Sequence, residues 1–141
     1  MTALVSYHRL TPEMPLNLPA QGKPFLAVVV VREEVSVQWR SNVSNWLVAE
    51  GCLFMCAWGL DCTLWDDSVD YANLEQFSYG EIPEDRFVMT TWHDNEPLEE
   101  AIWFAKYSAR HDAAALDVVL IIDVSRVDHS DEMLALWSKS Q

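Results

Sequence analysis

The sequence predicts an α/β domain of three layers, in which a mostly parallel four-stranded sheet carries helices on both faces. Three observations lead there. Four segments are rich in apolar residues, and most of them run apolar without the alternation of a half-exposed strand, the pattern of strands covered on both faces. Between these runs lie segments whose apolar residues recur at steps of three and four. Each of those segments is long enough for the crossover that parallel neighbours need.

The opening residues, up to Pro24, carry Pro12, Pro15, Pro19 and Pro24, so they cannot form one regular helix. We expect residues 1–24 to be an extended arm and residues 25–141 to be a single domain. Met14, Leu16 and Leu18 alternate as an arm on an apolar surface requires, whether that surface is its own domain or a second subunit. Phe25 to Val31, FLAVVVV, reads as a buried strand ended by Arg32-Glu33-Glu34. From Ser36 to Glu50, Trp39, Val43, Trp46, Leu47 and Glu50 fall at helical steps, and Gly51 suits a left-handed C-cap. Val35-Ser36-Val37 could alternatively begin as a short strand.

Cys52 to Trp58, CLFMCAW, is the second strand, closed by Gly59. Asp61 to Asp67 is expected as a loop and Ser68 to Phe77 as a short helix, while Gly80 and Pro83 make Ser78 to Asp85 a turn. Arg86 to Trp92 gives the third strand. After it, His93-Asp94-Asn95-Glu96-Pro97 supplies capping side chains and a first-turn proline for a helix from about Glu96 to Arg110. Its acids precede its bases, as the helix dipole favours. Asp117 to Ser125 is the fourth strand, and a closing helix follows from Asp131 to about Ser138, with Ser130 as N-cap.

The chain has 141 residues, half of them apolar, enough for a core without staples. It holds 22 acids against 9 bases, and residues 61–100 carry twelve of those acids beside one base, Arg86. Such a field repels phosphate backbones and anionic lipid surfaces, so nucleic acid and membrane are not expected partners. Basic proteins, cationic metabolites and divalent metals stay open. Cys52, Cys56 and Cys62 form an odd set in and near an apolar run, and the start lacks the features of a secretory signal. No segment approaches the roughly 20 apolar residues of a membrane span. A reducing cytoplasm is the expected compartment.

No recognised catalytic spacing accompanies the acid. The four glycines do not recur at dinucleotide or Walker spacing, there is no G-x-S-x-G elbow, and the cysteine spacing is not that of a zinc site. No cofactor is expected. Ligands of open parallel sheets bind beyond the carboxyl ends of the strands, where Glu33, Asp61, His93, Asp94 and Asp123 gather in sequence terms. Together they could hold a hard divalent cation or serve an enzyme or sensor with His93 as base; alternatively they are caps and solvated ends.

In Ala57 to Phe77, acids interleave with Trp58, Trp65, Tyr71 and Phe77. Asp61, Asp66, Asp67 and Asp70 beside Trp65, Tyr71 and Trp92 could clamp a Lys or Arg through ion pairing and cation–π attraction, or the rings could anchor a solvated loop. That segment, with FVMTTWHDNEPLEEAIWFAKYSA (Phe87 to Ala109), resembles a group of short uncharacterised bacterial proteins; the resemblance implies a bacterial source and supplies no catalytic residue. The sequence therefore leads to an acidic interaction module, of the inhibitor or immunity type, that binds a basic protein through Asp61, Trp65, Asp66, Asp67, Asp70, Tyr71 and Trp92. An enzyme with a carboxylate-lined site is the alternative.

Overall fold

In chain order the elements are β1 (Leu4–Leu10), β2 (Phe25–Val31), α1 (Val37–Glu50), β3 (Cys52–Gly59), α2 (Cys62–Gln76), β4 (Met89–His93), α3 (Leu98–Tyr107), β5 (Val118–Val124) and α4 (Ser130–Lys139). They are taken from a computed structural model, which describes residues 3–141. The five strands are all parallel, in the order β1-β5-β2-β3-β4.

β2 lies at the centre and is buried at every position. Its side chains alternate between two cores. Phe25, Ala27, Val29 and Val31 meet α1 and α2 through Trp39, Val43, Leu47, Trp65 and Val69. Leu26, Val28 and Val30 meet α3 and α4 through Leu98, Ile102, Met133 and Trp137. Helices on both faces are thus required by the apolar runs.

Three connections, β1 to β2, β2 to β3 and β3 to β4, step the same way across the sheet and cross on the α1 and α2 face. The return from β4 to β5 crosses on the other face, through α3. Every crossover therefore has the same hand, as the twist of parallel strands demands.

The sheet has five strands, not four. The additional one, β1, comes from the expected arm: its register runs Leu4 beside Val118 to Leu10 beside Val124. All the prolines lie after it, so nothing bars Leu4–Leu10 from a sheet. Residues 11–24 do run without regular structure, with Leu16 and Leu18 packed on the α1 core. Glu13 ties this stretch down by accepting from the Ser36 amide at 2.7 Å and the Ser36 hydroxyl at 2.6 Å. The indole of Trp39 donates to Met14 O at 2.8 Å.

Ser36 is the N-cap of α1, its oxygen accepting the Trp39 amide, and Gly51 closes the helix with φ 103°. The second helix starts six residues earlier than the sequence suggests. Cys62, Trp65, Asp66, Val69, Ala72 and Asn73 make its buried stripe, and the two polar members hide the period. β4 begins at Met89, later than expected, because Glu84–Arg86 turns as a single 3-10 helix. α3 is shorter than read, with Pro97 rather than a polar side chain at its N-cap; α4 likewise starts from His129 without a side-chain cap.

Gly59 ends β3 with φ 101°, and a Cβ there would stand 2.2 Å from Val31 O. The same carbonyl accepts the Leu60 amide at 2.9 Å, so the strand cannot move aside freely. Gly51 has a similar φ but 3.7 Å of room. Gly59→Ala should therefore cost clearly more than the roughly 1–3 kcal/mol of a strained dihedral, while Gly51→Ala stays within it. Equal losses in denaturant melts of the two variants would refute the close approach.

Candidate functional site

Two polar groupings stand out, and they differ in how their charge is balanced. The first lies at the carboxyl ends of β5, β2 and β1. The chain leaves β5 toward α4 on one face and β2 toward α1 on the other, so this is the reversal point where open sheets bind ligands.

Asp123 is fully buried there and accepts from Arg32 Nε at 3.0 Å, from His129 Nδ1 at 2.8 Å, and from the Tyr7 hydroxyl. The His129 amide donates to the Tyr7 oxygen at 2.9 Å. Burial and the bond to Asp123 push the Tyr7 phenol far above its usual range. Beside them Glu33 accepts from both the amide and guanidinium of Arg126, which holds its carboxyl low. The network joins three strands to α4 and satisfies its own carboxylates. Chemically it is a staple, and the grooves of about 750 and 550 Å³ open elsewhere, beside β4 and between α3 and α4.

The expected metal set does not assemble. Asp123 and Glu33 are bound to Arg32 and Arg126; His93 is buried, against the Phe104 ring, and bonds Thr91 at 2.9 Å and Glu96 at 3.3 Å; Asp61 and Asp94 are exposed on separate turns.

The second grouping lies where α2 meets the edge strand β4. Among the described residues, Asp66, Asp67 and Asp70 are the one set of His, Cys, Asp or Glu whose ligand atoms converge, all within 4.8 Å. Residues four apart share a helix face, which brings Asp66 and Asp70 together over β4. There the Thr90 hydroxyl donates to Asp70 at 2.8 Å.

Asp66 is buried at 5% exposure, and its Oδ1 has no hydrogen-bond partner. Burial raises its carboxyl, the Thr90 hydroxyl opposes, and the charges of Asp70 and Asp67 raise it further. Asp70 is raised by burial and by Asp67, again against Thr90. None of Asp61, Asp66, Asp67 or Asp70 forms an ion pair among the described residues. Three carboxylates thus share one corner without an ion pair among the described residues, although Arg40 lines the groove between α1 and α2 that Asp67 also reaches.

The expected rings divide. Tyr71 and Trp92 are exposed at 64% and 54%, and Trp92 shares the α2 side of β4 with Thr90, two residues before it. Trp65 is fully buried, edge-on to Trp39 at 6.4 Å, and belongs to the core. It cannot anchor a partner. Asp61 starts α2 in a left-handed conformation without a side-chain cap. Sequence reasoning missed Thr90 and the burial of Asp66; the stripe of α2, traced at steps of three and four from Cys62, would have placed Asp66 on its inner border.

All three cysteines are buried and free, and desolvation pushes Cys52 and Cys56 up to about 12 and raises Cys62. A thiol reagent at pH 8 should leave the native protein unlabelled over the time in which the denatured chain reacts fully. One fast native thiol would overturn the assignment of all three to the core.

Asp66 yields a second expectation. Because its carboxyl is raised in the folded state, that state holds the proton more tightly than the unfolded chain, and the contribution of Asp66 to stability falls as pH rises above about 4. Asp66→Asn removes this loss, so it should raise the Tm at pH 7 by a few degrees and flatten the decline with pH. An unchanged slope between pH 4 and 7 would refute the strained carboxylate.

The family model described as a domain of unknown function, DUF7684, matches residues 5–140, and the chain belongs to that family. No curated protein and no solved structure matches it.

Proposed function

We propose that this DUF7684 member is a protein-interaction module, of the inhibitor or immunity type, whose acidic corner between α2 and β4 receives Lys or Arg side chains of a basic partner. The observation that carries the reading is the uncompensated charge: Asp66, Asp67 and Asp70 converge within 4.8 Å, and no cation of the described chain pairs with them. At Asp123 and Glu33, by contrast, the chain supplies the cation itself. A cation brought by a partner to Asp67 and Asp70 would relieve the mutual repulsion of the three carboxylates.

Tyr71 and Trp92 flank the corner as exposed rings able to cover a cationic side chain. They are the anchors in this reading, while Asp67 and Asp70 attract and orient. Asp61 lies at the start of α2 and extends the negative field. The competing class, an enzyme or sensor using strand-end carboxylates, loses support because Asp123 and Glu33 are paired internally and the strand-end groups do not converge among the described residues. A bacterial toxin or another basic protein would meet the requirement.

Tagged protein recovered from its native cell at low and high salt tests this directly, beside the double variant Asp67→Lys with Asp70→Lys. A basic protein should be retained at low salt, released at high salt and lost by the variant. With the purified pair, the variant should associate about 10 to 10³ times more slowly and lose its salt dependence. Trp92→Ala should instead speed dissociation, costing about 2 kcal/mol. Equal capture by the double variant would remove this corner as the binding face.

A further inference from the structure

The edge strand gives this docking reading a geometry. We propose that β4 accepts, as an added sixth strand, an extended segment of the basic partner in which Lys or Arg alternates with apolar residues; this rests on the acidic corner being the docking face.

β4 ends the strand order and pairs on one side only, with β3. Among the described residues, the main chain of Met89–His93 is hydrogen bonded to no segment beyond β3 except where His93 meets the Cys62 thiol. An open edge is a template for another strand, and proteins usually blunt it with Pro, Lys or a bulge. Met89–His93, MTTWH, is short at five residues but carries no Pro, Lys or bulge. The opposite edge, β1, carries His8 and Arg9, and Arg9 is fixed to Thr11 and to the Arg126 carbonyl.

The two sides of β4 differ in chemistry. Thr90 and Trp92 face α2, where Asp66 and Asp70 lie. Met89 points to the other side, beside the groove of about 750 Å³ that Phe87, Ile82 and Pro83 also line. Side chains of an added strand alternate in the same way. One set would therefore meet carboxylates and the Trp92 ring, and the other a groove of mixed character, where Ile82, Phe87 and Met89 stand beside Glu84, Arg110 and His111.

Charge selects the occupant. Antiparallel pairing of two β4 edges about a two-fold axis would set two α2 helices side by side on one face, each with the same three carboxylates. Two copies with a net charge of −13 each oppose such pairing, whereas a cationic strand favours it.

The probe is a nine-residue peptide of alternating Lys and Val, with two further versions in which the amides of all Val or of all Lys residues are N-methylated. Amides of successive residues point to opposite edges of a strand. Strand addition therefore requires that one methylated version lose about tenfold or more in affinity and the other stay within about twofold. The parent peptide should also slow hydrogen exchange of the β4 amides. Equal behaviour of the two versions, with Asp70→Lys still weakening the parent, would overturn strand addition and leave the acidic corner as the docking face. Binding indifferent to Asp67→Lys and Asp70→Lys would overturn both readings. Slowed β4 exchange that grows with protein concentration alone would give the edge to a second copy.

Discussion

Everything in this fold follows from the burial of β2 on both faces. A strand whose seven side chains are all inside must feed two cores at once, and each core then needs its own pair of helices. Main-chain hydrogen bonds to β3 and β5 use up both of its edges. Chemistry is consequently excluded from the middle of the sheet. Within the sheet, only the strand ends and the two edge strands can meet another molecule.

The strand ends and the β4 edge treat charge in opposite ways. Asp123 is fully enclosed, yet three donors reach it, so its negative charge is held in place and the carboxyl ends of β1, β2 and β5 are bound together. Removing one partner from a buried pair usually costs about 3–5 kcal/mol, which marks this network as structural. At α2 the donors are missing. A single threonine hydroxyl serves Asp70, and Asp66 keeps an oxygen without a partner. Folding tolerates the second arrangement because Asp67 and Asp70 remain in contact with solvent.

The central strands were legible because their apolar runs have no other use in a chain of this size. β1 was not, since Ser6, His8 and Arg9 break any apolar run, and an edge strand needs fewer buried side chains than a central one. α2 was misread for a related reason: Asp66 and Asn73 occupy positions of its buried stripe, Asn73 because its amide oxygen accepts the Val88 amide and its nitrogen donates to the Arg86 carbonyl. The closeness of Asp66 and Asp70 could be read from their spacing. The burial of Trp65 could not be read from composition, because neighbours in sequence face different sides of a helix. The balancing of Asp123 was hidden too, as one of its donors, Tyr7, stands on the strand that went unrecognised.

The pairing of β1 with β5 joins the first strand of the chain to the last. Ribosomes add about 5–20 residues per second, so β1 waits on the order of ten seconds for Val118–Val124 to be made. During that interval β2, α1 and β3 can already assemble around the α1 core. Glu13 bound to Ser36 and Trp39 bound to Met14 O would then tether the waiting strand beside its future position. A crossover that the finished molecule holds by these bonds would in this way act during synthesis as a mooring that shortens the search for the final strand.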